Sequence, residues 1–395
     1  MANQDELYLS AEEAAKLLGV NLPTLYAYVG RKNIRSVKIE GSRKRRYWAA
    51  DIQRLVKGGR NGDKTPGKRG ADSQSSLTLL TEDGLFYRGR NINELVETAT
   101  VEEVAEMFWQ VPGAFGSSLP RMPAGVEQLL ELYAHTTVME KAIALFPLVE
   151  RENPKAFDLS PEGYARTGAD VVRWFAALVV GATAPDTRPL HEFIASARGA
   201  DPRFADLIRR MLILSIDHEL VHSTYSVRAA AKTGVTPYYA TIVGLAAARG
   251  RRIAYGRNEL VSHLLNEVCK AKDPAAPILQ YYSQGGDIPG FNTNVHGVVD
   301  PRAISLKNTL DVMFADDPDY LRLLKAMQVA EELVQRPAEF ILLVSFVGRK
   351  LNLEGQELAL AAVGRLIGWI AHASEQYNHQ PLIRHHARYT GPLPD

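Results

Sequence analysis

From residue 101 to residue 371, apolar residues recur with helical spacing, and this pattern constrains the fold more than any other feature of the chain. Pro or Gly separates many of the helical stretches. The clearest stretches cover residues 101–109, 126–132, 165–180, 204–214, 226–233, 238–248, 260–268, 304–313, 321–334, 340–347 and 358–371. Strands do not alternate with helices, and no repeat of fixed period is evident, so the sequence predicts a mainly α, all-α body.

Composition excludes several classes of protein. The 395 residues carry a net charge of +1 and a hydrophobic fraction of 46%, which is ordinary for a globular chain of two or three domains. Cys269 is the only cysteine, so we expect no disulfide within the chain, no metal site built from cysteines, and a buried apolar role for this residue. The apolar run at residues 175–182 is far shorter than the ~20 residues that span a membrane. Residues 1–6 are polar and do not open a secretory signal, so we expect a cytoplasmic protein without a membrane partner.

The first 56 residues show the pattern of a small winged helix-turn-helix domain. Ser10 and Glu13 form a capping box at the start of a first helix that carries one apolar face. The elements predicted after it are a turn at Gly19, a second helix over residues 22–29, a wing of strands at residues 37–39 and 45–47, and a closing helix over residues 51–56.

This order of elements resembles the MerR/excisionase type of DNA-binding domain, and the resemblance covers residues 7–56. It implies that the second helix enters the major groove while the wing meets phosphates. The side chains that we expect to contact double-stranded DNA are Thr24, Tyr26 and Tyr28 on the helix and Arg43, Lys44, Arg45 and Arg46 on the wing. Basic residues crowd together over residues 31–69, which favours a polyanionic partner. A solvated basic face and a helical module that binds protein are the alternatives.

Residues 57–76 are rich in Gly, Pro, Lys, Asp and Ser and lack apolar periodicity, which predicts a flexible basic linker. The predicted domains are therefore residues 1–56, the linker at 57–76, and the body at 77–395, with a smaller helical subdomain at about 230–340.

The body carries a series of motifs that resemble those of the citrate synthase family. They are DGLFYRGRNINEL at residues 83–95, ILSIDHELVHST at 213–224, GFNTNVHGVVDPRA at 290–303, VGRLIGWIAH at 363–372 and RHHARYTG at 384–391. The resemblance spans roughly residues 77–391 and implies an all-α fold of two subdomains and a homodimer or higher homo-oligomer. Pro301 disfavours helical backbone at Asp300, so we expect a shaped loop that presents Arg302.

The resemblance also implies a set of catalytic positions, and this chain departs from it there. In the family, an Asp takes a proton from acetyl-CoA, and two His assist at the enol and at the oxaloacetate carbonyl. The matching positions hold Glu339, Ala254 and Thr293. A methyl group and a hydroxyl group cannot exchange protons near neutrality, so we expect impaired catalysis. Bulky residues in place of glycines at residues 250–258 argue against the binding of acetyl-CoA, and no cofactor is expected to be required.

The positions that hold the carboxylates of oxaloacetate in the family are kept. The matching residues are His218, Arg302, Arg365 and Arg384, the last of which would reach the neighbouring subunit's site. A guanidinium makes paired bonds to carboxylates, and a buried guanidinium needs an anion. We therefore expect either a di- or tricarboxylate such as citrate or oxaloacetate, or internal acids, beside these arginines. The alternatives are a core role for His218, a buried Glu beside Arg365, and solvated Arg302 and Arg384.

These features together predict a DNA-binding regulator whose body is a dimerisation platform and senses a carboxylate. One alternative is an active citrate or 2-methylcitrate synthase, with Glu339 as base and His296 or His222 as a stand-in acid. A second alternative is a non-catalytic partner subunit of a citrate synthase.

Overall fold

The computed structural model describes residues 8–31, 34–39, 44–58, 74–81, 84–116, 118–250, 258–285, 287–291, 300–353 and 355–379. Contacts between residues divide the chain into two compact units, Met1–Gly70 and Ala71–Asp395. The boundaries of the linker and of the smaller subdomain stay predictions.

The N-terminal unit is a helix-turn-helix with a small sheet. Its elements are β1 (Tyr8–Leu9), α1 (Ala11–Leu18), α2 (Leu22–Arg31), β2 (Ser36–Lys38), β3 (Arg45–Trp48) and α3 (Ala49–Gly58). Ser10 and Glu13 form both bonds of the predicted capping box, and Gly19 ends α1 with a φ of 67°. The strands pair antiparallel in the order β1-β3-β2, so the predicted wing gains an extra strand from Tyr8–Leu9. Two residues are too short for a periodic signal, which explains why the sequence did not predict β1.

The core of this unit is small and joins its three helices to the sheet. Its buried apolar residues are Ala14, Ala15, Leu25, Ile34, Tyr47 and Ile52. Buried Asp51 of α3 accepts hydrogen bonds from the backbone N–H of Arg35 at 2.9 Å and from its guanidinium at 3.0 and 3.1 Å. This carboxylate therefore fixes the chain where it enters β2.

The second unit contains a small antiparallel sheet near its start, and the other regular elements among its described residues are helices. Its strands are β4 (Thr78–Thr81), β5 (Gly84–Tyr87) and β6 (Arg90–Asn91). Its helices are α4 (Ile92–Thr98), α5 (Val101–Trp109), α6 (Val126–Leu132), α7 (Val138–Arg151), α8 (Pro161–Val180), α9 (Leu190–Ala197), α10 (Arg203–Ser215), α11 (His222–Ala231), α12 (Pro237–Ala248), α13 (Asn258–Lys270), α14 (Ala275–Ser283), α15 (Pro301–Met313), α16 (Pro318–Val334), α17 (Phe340–Lys350) and α18 (Glu357–His379). Every stretch predicted from apolar spacing overlaps one of these helices, which confirms the mainly α body.

Helix α18 lies at the centre of this unit and packs against α5, α8, α10, α11, α12 and α17. Gly364 and Gly368 stand one turn apart on α18 and meet the end of α10. A Cβ on Gly364 or Gly368 would lie well inside 3.0 Å of the carbonyl oxygen of Leu212 or Ile216, respectively. Only glycine permits two backbones to approach this closely. The close approach places Arg365 beside the chain segment that leaves α10.

The backbone at Arg302 differs from the predicted loop. Asp300 caps α15, and its side chain accepts a hydrogen bond from the backbone N–H of Arg302 at 3.0 Å. The helix begins at Pro301 because proline suits the first helical position, where its missing N–H is not needed. Arg302 therefore lies in the first turn of a helix, and the prediction of a loop at this residue was wrong.

Two smaller expectations concern burial and length. Cys269 is half-buried, and burial raises the pKa of its thiol. Within the described part of the chain, no helix has the length and apolar character that a membrane span requires.

Candidate functional site

A fully buried carboxylate, Asp217, organises the polar interior of the second unit. Its Oδ1 accepts a hydrogen bond from Nη1 of Arg365 at 2.5 Å. Its Oδ2 accepts from the Thr78 hydroxyl at 2.5 Å and the Glu219 N–H at 3.2 Å, and lies 3.1 Å from Nε2 of His372. Burial alone raises the pKa of Asp217, but His372, Arg365 and the Thr78 hydroxyl outweigh it and lower the pKa well below its ordinary value. Asp217 is therefore a carboxylate at neutral pH.

Arg365 is buried, and its charge is compensated by Asp217. Its Nη1 also donates to the carbonyl of Ile216 at 3.2 Å, and its Nη2 donates to the hydroxyl of Thr224. A guanidinium has five N–H donors, and these contacts with described residues use three of them. The anion beside Arg365 is thus an internal acid, as the sequence analysis allowed, although the acid is an Asp and not a Glu.

Arg302 is also buried, with 7% of its surface exposed, so it is not the solvated residue of the alternative interpretation. Its Nε and Nη2 donate to the two carboxylate oxygens of Asp300 at 3.0 and 2.7 Å. Its guanidinium lies over the ring of Phe340, 4.9 Å from the centroid. Burial alone lowers the pKa of Arg302, but Asp300 outweighs it and raises the pKa above its ordinary value. The side chain therefore stays charged in the interior.

Glu339 stands at the start of α17, directly before Phe340, whose ring packs against the guanidinium of Arg302. Its backbone N–H donates to the carbonyl of Gly290 at 2.8 Å, and its side chain is half-buried. Gly290 has a φ of +87°, and a Cβ there would lie 3.2 Å from Cβ of Leu342. The bond fixes Gly290 at the start of α17, and the guanidinium of Arg302 lies over the ring of Phe340, the residue after Glu339.

Tyr87 shows that the two arginines share one electrostatic neighbourhood. Its buried hydroxyl accepts a hydrogen bond from the backbone N–H of Asp217 at 3.0 Å. Burial raises the pKa of Tyr87, while the positive charges of Arg302 and Arg365 both act to lower it. The charges of Arg302 and Arg365 therefore both act on the hydroxyl group of Tyr87.

The remaining predicted positions of the body are less informative. His218 is half-buried and follows Asp217 in the segment between α10 and α11. Three other predicted residues, Ala254, Thr293 and Arg384, lie outside the described residues, as does His296. The roles assigned to these residues stay predictions.

The three side chains predicted to contact DNA from α2 differ in their surroundings. Tyr26 is the exposed one, with 55% of its surface accessible. The hydroxyl and the backbone N–H of Thr24 donate to Oδ1 of Asn21 at 2.6 and 2.9 Å, which caps the start of the helix. Tyr28 is half-buried because it packs against the core of the N-terminal unit. Of the three, Tyr26 is therefore best placed to contact DNA, and the contact itself stays a prediction.

On the wing, Lys44 and Arg45 are exposed and Arg46 is half-buried. Nη1 of Arg45 donates to the hydroxyl of Ser36 at 3.0 Å, which ties β3 to β2. Arg43 lies outside the described residues. The exposed cations agree with phosphate contacts, which also stay a prediction.

Comparison with known proteins places both units in families. Residues 67–386 match the family model described as citrate synthase, C-terminal domain, and residues 8–60 match the model described as helix-turn-helix domain. The chain belongs to the citrate synthase family.

Relatives of this citrate synthase family member are similar over most of their length. Citrate synthase 2 of Bacillus subtilis is 25% identical over 350 residues, which cover 80% of this chain and 93% of that protein. Citrate synthase of Synechocystis is 27% identical over 361 residues, which cover 81% and 88%. A 2-methylcitrate synthase of Shewanella oneidensis is 22% identical over 355 residues, which cover 83% and 94%.

Solved structures share the fold. Citrate synthase from Thermotoga maritima superposes with a TM-score of 0.67 at 22% identity. The match covers 84% of this chain and 97% of the Thermotoga chain. The ternary complex of citrate synthase from Thermoplasma acidophilum with carboxymethyl coenzyme A and oxaloacetate gives a TM-score of 0.69 at 19% identity and covers 83% and 96%. At these identities the likeness concerns the fold alone.

Sequence reasoning missed three residues that hold the site of this citrate synthase family member. Asp217 directly precedes His218 in the same motif, yet only the histidine was singled out. His372 follows Arg365 by seven residues on α18, so the two share a helix face, a signal that was available in the sequence. Thr78 carried no signal, because its partner lies 139 residues away in the chain.

Proposed function

We propose that this citrate synthase family member is a cytoplasmic DNA-binding regulator that senses a di- or tricarboxylate. The observation that carries the proposal is the pair of buried guanidinium groups, Arg302 and Arg365, in a chain that begins with a helix-turn-helix unit. Guanidinium groups are suited to paired, charge-assisted bonds with such ligands.

The internal acids explain how such a site tolerates the absence of a ligand. Leaving one charge of a buried pair uncompensated costs about 3–5 kcal/mol. Asp217 and Asp300 remove this penalty at Arg365 and Arg302. A sensor must be stable with and without its ligand, because the ligand acts only through its preference for one of two states. The two ion pairs therefore supply the compensation that a sensor needs when no carboxylate is bound.

The proposal includes weak or absent synthase activity. Residues Ala254 and Thr293 replace the two imidazoles of the family, and Glu339 alone keeps a group suited to proton transfer. The regulator requires no cofactor and would not bind acetyl-CoA. A homodimer or higher homo-oligomer would present paired helix-turn-helix units to a palindromic operator.

Calorimetry with citrate, oxaloacetate and CoA tests the carboxylate site. The chain offers a matched control, because Asp201-Pro202-Arg203 repeats the motif of Asp300-Pro301-Arg302 at the start of α10. Arg203 donates to Asp201 through the same atoms at 2.9, 3.1 and 3.2 Å, but its side chain is 73% exposed. Both Arg→Ala substitutions thus remove the same local pair, and only one removes a buried guanidinium.

The wild type and Arg203→Ala should bind citrate or oxaloacetate with equal affinity. Arg302→Ala should bind about tenfold more weakly or worse, since a hydrogen bond to a charged group contributes ~1.5–3 kcal/mol. The absence of binding heat for every carboxylate, or equal affinity of Arg302→Ala and Arg203→Ala, would contradict the proposal. Gel-shift assays with genomic fragments test the proposed DNA binding. If no fragment is bound selectively at low salt, the protein is not a DNA-binding regulator.

The second candidate function is an active citrate or 2-methylcitrate synthase, and two observations favour it. Curated relatives carry these two names. The half-buried Glu339 stands at the start of α17, next to the ring that supports Arg302, which suits a base beside a bound carboxylate. Release of free thiol from acetyl-CoA or propionyl-CoA with oxaloacetate, at the rate of an ordinary enzyme, would establish this function. Co-purification with a true citrate synthase would instead indicate a non-catalytic partner subunit.

A further inference from the structure

We propose that residues 74–78 couple carboxylate binding at Arg365 to the helix-turn-helix unit, and that the ligand tightens the attachment of this segment to the body. The inference rests on the proposed function, because it requires a carboxylate beside Arg365. The second unit begins at Ala71, so residues 74–78 lie near its start, on the side of the chain that connects to the helix-turn-helix unit.

The segment is bonded to the body by its side chains and backbone together. Nη2 of Arg228 donates to the carbonyl of Gln74 at 2.7 Å. The N–H and the hydroxyl of Ser76 donate to Oε1 of Glu375 at 2.7 and 2.8 Å. The hydroxyl of Thr78 donates to Oδ2 of Asp217 at 2.5 Å. Leu77, in the middle, is fully buried. All four contacts have an ionised donor or acceptor, and such charge-assisted bonds are roughly twice as strong as neutral ones.

The body residues that hold the segment form one connected network with the candidate ligand site. Nη1 of Arg228 donates to Oε2 of Glu375 at 2.6 Å and lies 3.2 Å from Nδ1 of His372. Because a guanidinium can only donate, Nδ1 of His372 must accept, so Nε2 carries the hydrogen and donates to Asp217. Asp217 in turn accepts from Arg365. The network therefore runs without a gap from Arg365 to residues 74–78.

A bound carboxylate would change how the negative charge of Asp217 is compensated. It would accept hydrogen bonds from Arg365 and place a second negative charge beside the pair, so that Arg365 compensates Asp217 less. Asp217 is fully buried and cannot turn to water. It would then depend more on its other donors, among them the hydroxyl of Thr78, and bonds to a less compensated anion strengthen in a low-dielectric interior. The ligand thus tightens the attachment of residues 74–78.

Coupling of this kind is reciprocal. If the ligand strengthens the bond from Thr78, the bond from Thr78 strengthens ligand binding by the same factor. A tighter attachment also fixes the point from which the chain leaves toward the DNA-binding unit. The ligand would thereby favour some arrangements of the DNA-binding units over others, which is how binding at one site biases another.

Three substitutions test the coupling in the full-length protein. Thr78→Val removes the hydroxyl and keeps the branched shape, while Thr78→Ser keeps the hydroxyl. Thr81→Val is the matched control on the same strand, where the hydroxyl donates to the carbonyl of Gly84 within the hairpin at 3.3 Å. For each protein we would measure the citrate affinity by calorimetry and the hydrogen exchange of the peptide 74–81 with and without saturating citrate.

Citrate should slow exchange of this peptide about fivefold or more in the wild type, Thr78→Ser and Thr81→Val, the lower end of ordinary coupling energies. In Thr78→Val the slowing should vanish, and the citrate affinity should fall by a similar factor. Citrate binding that leaves the exchange of wild-type peptide 74–81 unchanged or faster would overturn the coupling and leave the proposed function intact. Equal citrate affinities of Thr78→Val and Thr81→Val would do the same. No binding of any carboxylate to the wild type would overturn both.

Discussion

Replacing Gly368 with alanine perturbs the contact that brings Arg365 to Asp217. The added Cβ would lie well inside 3.0 Å of the carbonyl oxygen of Ile216 and 3.1 Å from its carbonyl carbon. Both atoms belong to the backbone, so neither can rotate away as a flexible side chain would. Helices α10 and α18 must therefore separate, and the segment that carries Asp217 moves with the end of α10.

The expected loss of stability follows from this geometry. Extra methyl groups in a close-packed interior usually cost about 1–3 kcal/mol, and a clash with fixed backbone belongs at the upper end or above. A loss of about 3 kcal/mol lowers the unfolding temperature of a large domain by roughly 6–12 °C. Gly116 is the matched control, because a Cβ there meets no atom of the described residues within 4 Å apart from its chain neighbours, and its backbone is not left-handed. Gly116→Ala should change stability by no more than about 0.5 kcal/mol.

Scanning calorimetry of both variants, followed by citrate titration, provides the assay. Gly368→Ala should unfold at least 6 °C below the wild type, by the conversion of about 2–4 °C per kcal/mol, and should bind citrate more weakly. Gly116→Ala should match the wild type in both measurements. A Gly368→Ala protein that unfolds at the wild-type temperature would refute the claim that close helix contact positions Arg365.

Two further predictions concern stability. Burial raises the pKa of Asp170 from 3.8 to about 7, so its ionisation should reduce folding stability as pH rises from 4 to 8, by on the order of 4 kcal/mol, whereas Asp170→Asn should remove this decline. Urea denaturation of both proteins across that range checks the prediction, and parallel curves would contradict it. Ser10→Ala should destabilise the N-terminal unit by about 1 kcal/mol, because it removes one half of a capping box whose other half is Glu13. Thermal melts of the full chain would show it as an earlier N-terminal transition, and an unchanged transition would count against the capping role.

The secondary structure of this chain could be predicted from local patterns. The stretches at residues 101–109 and 126–132 were predicted with the bounds of α5 and α6, because apolar spacing, caps and breakers are all encoded within a few residues. The capping box at Ser10 and the left-handed Gly19 were likewise readable from neighbouring residues. The family resemblance then supplied the fold in which these helices are arranged.

The partners of the buried charges could not be predicted in this way. Arg365 and Asp217 are 148 residues apart, and Ser76 and Glu375 are 299 residues apart, so their pairing depends on the assembled fold. The sequence indicated that Arg302 needs an anion, and that anion is Asp300, two residues away. Arg302 differs from the exposed Arg203 because it is buried, with its guanidinium over the ring of Phe340. Tyr28 illustrates the same limit. Its side chain, which was expected to face DNA, is partly buried against the small core of the N-terminal unit.

If one chain binds both a small carboxylate and a specific DNA sequence, each binding event should affect the other. The affinity of the full-length protein for its selected DNA fragment, measured with and without saturating citrate, tests this coupling. We expect citrate to change this affinity by about fivefold or more in the wild type and in Arg203→Ala, and not to change it in Arg302→Ala. Wild-type protein whose DNA affinity is the same with and without citrate would contradict this coupling.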